Sequence, residues 1–256
     1  MTKKEKQVME EFKKLEGKVK PYDLFPTKGC KKAGEFVKDL KRHPHAFVFG
    51  CILDRQVKAE TAWLAPYKLS KRIGSFSIKK LKTLSNKDWE KHLKNPTSLH
   101  RYTNTMANCL FEAVKRIDEE YDGDASKIWE SNLRSGDIVN RFEDFKGIGP
   151  KISTMAVNIL RGTFGIKMAD HKGIDISADV HVRRVFYRLG LIESDPEKNE
   201  EMAIYESILK ARSMNAEFPG IIDAPTWYIG REWCDAQTPD CKNCPMDTLC
   251  AKQGVN

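Results

Sequence analysis

Phe145-Lys146-Gly147-Ile148-Gly149-Pro150-Lys151 joins two helical patterns. Two glycines one residue apart let a chain reverse tightly, because a residue without a Cβ tolerates positive φ. Ile148 between them can plug the turn into a core. Gly149, Pro150 and Lys151 then open an apolar helix carrying Ile152, Met155, Ala156, Ile159 and Leu160. Proline fits a first helical turn, where an N–H is dispensable. The amides of such an N-terminus point outward and suit a phosphate oxygen. A bare Gly-x-Gly fits an ordinary helix–helix turn with a solvated lysine; the full combination is more specific.

On either side of this turn the pattern stays helical. Apolar residues recur three or four apart among Lys and Glu, which predicts a mainly α chain. Residues 1–20 predict a charged helix with a thin stripe of Val8, Met9, Phe12 and Leu15, and Pro21 and Pro26 bound a loop. Residues 31–42 predict a second helix. Residues 46–65 read as one long apolar helix, central in the core, and Pro66 ends it or starts the next element. Helices at 75–83, 86–94, 98–118, 124–134 and 137–142 precede the turn; helices at 152–161, 180–189 and 199–216 follow it, and 227–233 leads into a cysteine cluster. Residues 162–177 are irregular and polar.

Ala178-Asp179-Val180-His181-Val182-Arg183-Arg184-Val185 places a carboxylate at a helix start. The ordinary role there is an N-cap, worth about 1 kcal/mol. A capping carboxylate is also held in place, and the helix dipole favours its negative charge. It could stabilise a developing cation or take a proton. No partner constellation marks His181 as a base or metal ligand, and Arg183 and Arg184 can face solvent or phosphate.

The chain has 256 residues, 44 Lys plus Arg against 36 Asp plus Glu, and a formal charge of +8. That surplus permits a nucleic-acid partner through counterion release but does not demand one. No apolar run approaches the roughly 20 residues a spanning helix needs, so no membrane is expected. The start, Met1-Thr-Lys-Lys-Glu-Lys, lacks the apolar core of a secretory signal, so a cytoplasmic, nucleoid or nuclear location is expected. Of seven cysteines, Cys30, Cys51 and Cys109 are scattered and read as small buried hydrophobes. Cys234, Cys241, Cys244 and Cys250 are spaced Cys-x6-Cys-x2-Cys-x5-Cys. Four thiolates so close can ligate zinc or a [4Fe–4S] cluster. Only one pair has the short spacing of a zinc knuckle, which tilts the balance toward iron–sulfur.

Taken in order, these features resemble the endonuclease III group of the helix-hairpin-helix DNA glycosylase superfamily. The resemblance is strong over 143–161, 178–188 and 234–250 and thin elsewhere. It implies an all-α fold: a six-helix barrel domain over 43–165 with the hairpin at 143–161, and a second helical domain from 1–42 plus 166–256. That second domain would carry a [4Fe–4S] loop at 234–250 on Cys234, Cys241, Cys244 and Cys250. By resemblance, Lys151 is the Schiff-base lysine and Asp179 the group's aspartate. Gln56, in Leu53-Asp-Arg-Gln-Val-Lys58, looks like the glutamine that fills the gap left by an extruded base. Gly147, Gly149, Lys151, His181 and Arg184 would contact DNA. The stretch 164–177 looks like an insertion and brings Asp170 and Asp175 as rival carboxylates.

The implied activity is that of a DNA N-glycosylase and abasic-site lyase. It would act as a monomer on double-stranded DNA with a damaged base, an oxidised pyrimidine by the group's default. The attacking lysine must be a free amine, although lysine ordinarily titrates near ~10.4, so the site has to favour the neutral form. Two alternatives stand. One is a monofunctional mismatch glycosylase for thymine, uracil or adenine, using Asp179 and water. The other is a non-catalytic iron–sulfur DNA-binding protein.

Overall fold

The computed structural model describes residues 1–16, 18, 26–27, 29–130 and 132–255. Among these there is no strand. The helices are α1 (Lys3–Glu16), α2 (Lys31–Lys38), α3 (Pro44–Leu53), α4 (Ala59–Ile73), α5 (Ile78–Leu81), α6 (Asn86–Lys94), α7 (Thr103–Glu120), α8 (Ser135–Glu143), α9 (Pro150–Gly162), α10 (Val180–Leu189), α11 (Glu200–Met214) and α12 (Asp223–Glu232). Single 3-10 turns occupy Ala125–Trp129, Pro219–Ile222 and Cys241–Asn243. The expected loop start at Pro21 lies outside the described residues.

Local chemistry sets several boundaries. Ser85 and Asp88 form a reciprocal capping box at the start of α6. Asp179 caps α10, and Gly190, left-handed at φ 71, ends it. The stripe of Val8, Met9, Phe12 and Leu15 is buried along α1.

The long helix expected over 46–65 is two helices. Every residue of α3 is buried, so its sequence shows no polar face to mark its end. α4 is buried all round over Ala62–Pro66 and reaches solvent beyond it, at Lys68 and Lys71. The chain bends through 54–58, with Gln56 left-handed at φ 55, and α4 folds back onto α3. The two pack closely at Gly50, where a Cβ would lie 2.4 Å from the Trp63 ring. Pro66 sits inside α4 rather than at its end. The helix expected at 124–134 is only the 3-10 turn Ala125–Trp129.

Burial resolves into two apolar clusters. The first gathers side chains of α2 to α9, among them Phe47, Phe49, Trp63, Trp89 and Phe142. The second gathers α1, α10, α11 and α12, with Met246 from the cysteine segment. Sequence placed 31–42 with the second group. Instead Val37 is fully buried in the first cluster, with Phe36 and Leu40 against it, because α2 packs on α3 and α4. The chain passes from one cluster to the other between Ile174 and Ile176. Before that crossing, Phe164, Ile166 and Met168 pack on the first cluster, and the N–H of Ala169 donates to the Leu133 carbonyl at 2.8 Å. The rival carboxylates of this segment are used by the fold. Asp170 accepts from the Ser135 hydroxyl at 2.6 Å, and Asp175 holds Arg212 in a two-pronged pair at 2.8 and 2.7 Å.

Candidate active site

A cleft of about 670 Å³ opens between the two clusters. One wall is the α3–α4 bend and the start of α4, with Asp54, Glu60 and Trp63; another is α9, with Lys151 and Asn158. The far side brings Asp179 and His181 from the start of α10, and Asp223, Trp227 and Arg231 from α12. Two ion pairs span the clusters at its edges: Arg231 with Glu60 at 2.7 Å and Arg161 with Glu16 at 2.6 Å.

The hairpin between α8 and α9 supplies the lysine. Ile148 is buried in the turn, as its position suggested. Gly147 is left-handed at φ 94, and a Cβ there would lie 3.0 Å from Cys109 Sγ. Gly149 is extended, at φ −117 and ψ −178, which any residue before a proline can adopt. A Cβ at Gly149 would meet nothing within 4 Å. Pro150 and Lys151 then open α9, and the exposed Lys151 reaches the cleft.

Asp179 comes to the same cleft already oriented. Its Oδ1 accepts from the N–H groups of His181 and Val182, both at 2.9 Å. Just before it, the segment is pinned by buried Asp223, whose carboxylate accepts the Ser177 N–H and hydroxyl, both at 2.6 Å. Burial pushes the Asp223 carboxyl up to about 6, against the pull of the two Ser177 bonds; Asp179 adds to the rise and Lys151 opposes it. Asp54, at the end of α3, is also pushed up to about 6, first by burial and then by Asp179 and Glu60, with Lys151 opposing.

The other expected site residues fall differently. His181 lines the cleft, but its Nδ1 lies 3.2 Å from the Gly230 carbonyl and 3.0 Å from Arg184. Burial holds its pKa below the ordinary histidine value, with Asp179 working against this. Arg184 does not stand free for DNA. Its guanidinium donates to the carbonyls of Cys234 at 2.7 Å and Gly230 at 2.9 Å. Gln56 lies outside the lysine's cleft, in an open groove beside it with Ser98, Leu99, His100 and Arg101. Val57 and Lys58 line both hollows, which sets exposed Gln56 at the cleft's lip.

Asp54, Asp223, Trp63 and Trp227 were not singled out from sequence. Their signals exist in hindsight: Asp54 follows an unbroken apolar run beside Gln56, and Asp223 is a lone acid in Ile-Ile-Asp-Ala-Pro-Thr-Trp.

Cys234, Cys241, Cys244 and Cys250 are reduced and half-buried. Arg188 holds the start of their loop, donating to the carbonyls of Asp235 at 2.6 Å and Ala236 at 2.8 Å and to Cys234 Sγ at 3.4 Å. The Lys252 N–H donates to Cys250 Sγ at 3.4 Å. Burial pushes the Cys244 thiol up to about 11, and the charges of Cys234, Cys250 and Cys241 add to this. The four sulfurs therefore share one neighbourhood. Among the described residues, however, no three His, Cys, Asp or Glu side chains group so as to hold a metal ion.

Helices in this order, wrapped about such a cleft, are the fold of the helix-hairpin-helix DNA glycosylases. A trapped endonuclease III–DNA covalent intermediate matches it with a TM-score of 0.62 and 18% identity, over 98% of this chain and 97% of that one. A thermostable thymine-DNA glycosylase matches with a TM-score of 0.59 and 15% identity, over 98% and 96%. A non-covalent endonuclease III–DNA complex matches with a TM-score of 0.58 and 17% identity, over 98% and 97%. Within that fold the chain resembles the endonuclease III group. It is 25% identical over 153 residues to Endonuclease III of Bacillus subtilis (strain 168), a match that spans 60% of this chain and 58% of the relative. No family model matches the chain.

Proposed function

We propose that this protein is a DNA glycosylase with abasic-site lyase activity, using Lys151 as nucleophile and Asp179 as its carboxylate partner. One observation carries the reading: an exposed lysine in the first turn of α9 and the aspartate that caps α10 line one cleft.

A base inside a duplex is closed to attack, so the nucleotide must swing out, at about a few kcal/mol. The cleft has the volume to receive it, with the half-buried Trp227 in its wall. Gln56, exposed in the groove beside the cleft, would enter the vacated stack. The outward amides before α9, with no Cβ at Gly149, leave room for a phosphate. Lys151 Nζ attacks the sugar C1′ as the base leaves. The Asp179 oxygen not engaged by α10 faces the positive charge that grows on the sugar. The Schiff base that follows permits elimination of the 3′ phosphate. An oxidised pyrimidine is the first substrate to try.

The cysteine loop fits a [4Fe–4S] group in its donor chemistry. Each iron of such a cluster takes one thiolate, so four cysteines in one neighbourhood suffice without three converging on a single ion. Cys234, Cys241, Cys244 and Cys250 would hold it, and it would brace the loop against α10. As purified, the protein is expected to show the brown colour of thiolate-ligated iron and iron on elemental analysis.

The test is borohydride trapping on duplexes that each carry one lesion, beside a duplex with a preformed abasic site. Wild-type protein is expected to form a covalent adduct with at least one lesion duplex and with the abasic duplex, and Lys151→Ala with none. Base release without any adduct in the wild type would replace the lysine by Asp179 and water.

A further inference from the structure

The cleft holds a carboxylate that the reaction above leaves unused. Asp54 stands where α3 runs into the 54–58 bend, its N–H bonded to the Cys51 carbonyl at 3.2 Å. No group among the described residues donates a hydrogen bond to its side chain. Asp54 is half-buried in the cleft wall; a carboxylate partly withdrawn from water without such donors is destabilising, and ending a helix does not require one.

Lys151 of α9, Asp179 before α10 and Glu60 of α4 line the same cleft as Asp54 and act on its charge, with Lys58, His181, Asp223 and Arg231 also in the lining. Cys51, one turn back, is fully buried, and its thiol is pushed well above its ordinary value by that burial. Glu60 is taken by Arg231. Asp179 has one oxygen on two α10 amides, and the proposed reaction assigns its other oxygen to the sugar. Asp223 has both oxygens on Ser177. Asp54 is thus the carboxylate left open to Lys151.

We propose, on the reading that Lys151 is the nucleophile, that Asp54 takes the proton the Lys151 ammonium must lose and hands it to the departing base. The carboxylate removes H⁺ from Nζ, leaving a neutral amine and a carboxylic acid. The amine lone pair forms the Nζ–C1′ bond while the C1′–N bond to the base breaks. That bond's electron pair leaves with the base, whose nitrogen takes the proton from Asp54. Asp54 ends as a carboxylate, and the positive charge stays on Nζ. A carboxyl raised to about 6 suits this task, because it is ionised at neutral pH yet basic enough to hold a proton in passing.

The test is single-turnover trapping by the full-length protein from pH 5 to 9 (roughly, spanning the carboxyl's titration). Its substrates are the lesion duplex the wild type uses best and the preformed abasic duplex. Wild-type rates are expected to rise through about 6 and level off. Asp54→Asn is expected to be slower by about 100-fold near neutrality and to climb with pH without levelling, as hydroxide replaces the carboxylate. Asp54→Glu is expected to restore the plateau. An Asp54→Asn variant with the wild-type rate and profile would overturn the assignment and leave Lys151 in place, since adduct still forms. A wild type that traps neither duplex overturns both readings. Should Asp54→Asn melt well below the wild type, a folded Asp54→Glu without the plateau would also overturn it.

Discussion

The two ends of α10 do opposite work. At its N-terminus, Asp179 leaves one oxygen open and His181 lines the cleft. Toward its C-terminus, Arg184 and Arg188 are tied to the carbonyls of Gly230, Cys234, Asp235 and Ala236. One helix therefore offers chemistry at one end and fastens the cysteine loop at the other. The difference lies in what each side chain has left over. A site keeps an open atom, whereas a brace keeps none. By that criterion Arg184, which its sequence context suggested for DNA, belongs with the brace.

The sharpest way to break the contrast is Asp179→Asn. Asparagine caps a helix about as well as aspartate, so the melting temperature should barely move. Losing the negative charge should slow base release by about 10²–10⁴-fold. Single-turnover release on the best lesion duplex, with a melting curve beside it, checks both. Unchanged turnover would make Asp179 a cap and nothing more.

Arg188→Ala probes the other end. It removes the donor to two carbonyls and a thiol at once, a loss of about 2–4 kcal/mol. The expected result is a lower melting temperature and loss of bound iron on purification, while the folded fraction still traps the abasic duplex. A stable, iron-replete Arg188→Ala protein would contradict a bracing role.

Sequence showed what local rules govern. The helices at 86–94 and 180–189 have their caps written beside them, Ser85 with Asp88 and Asp179 with Gly190. The hairpin was legible for the same reason, and the resemblance named both Lys151 and Asp179, which line one cleft. The break at 54–58 was not, because α3 is buried all round and offers no periodicity to interrupt. The place of α2 was hidden too, since which cluster Val37 joins is a tertiary matter. Asp54 was passed over because its neighbours come from α9 and α10, far along the chain. The bonds of Arg184 were hidden because its partners, Gly230 and Cys234, are equally remote.

The hairpin carries the same contrast on the smallest scale, in two glycines one residue apart. Gly147 is needed by the fold itself, being left-handed and set against Cys109. Gly149 is needed by nothing in the chain, since its backbone suits any residue and a Cβ would meet open space. Gly147→Ala should therefore cost about 1–2 kcal/mol of stability, read in a denaturant melt. Gly149→Ala should fold as well as wild type, yet bind duplex DNA more weakly, because the added methyl would stand where a phosphate approaches. Fluorescence anisotropy on an undamaged duplex measures that loss. If Gly149→Ala binds DNA as the wild type does, the backbone contact lies elsewhere, and the open space before α9 is only the surface of a turn.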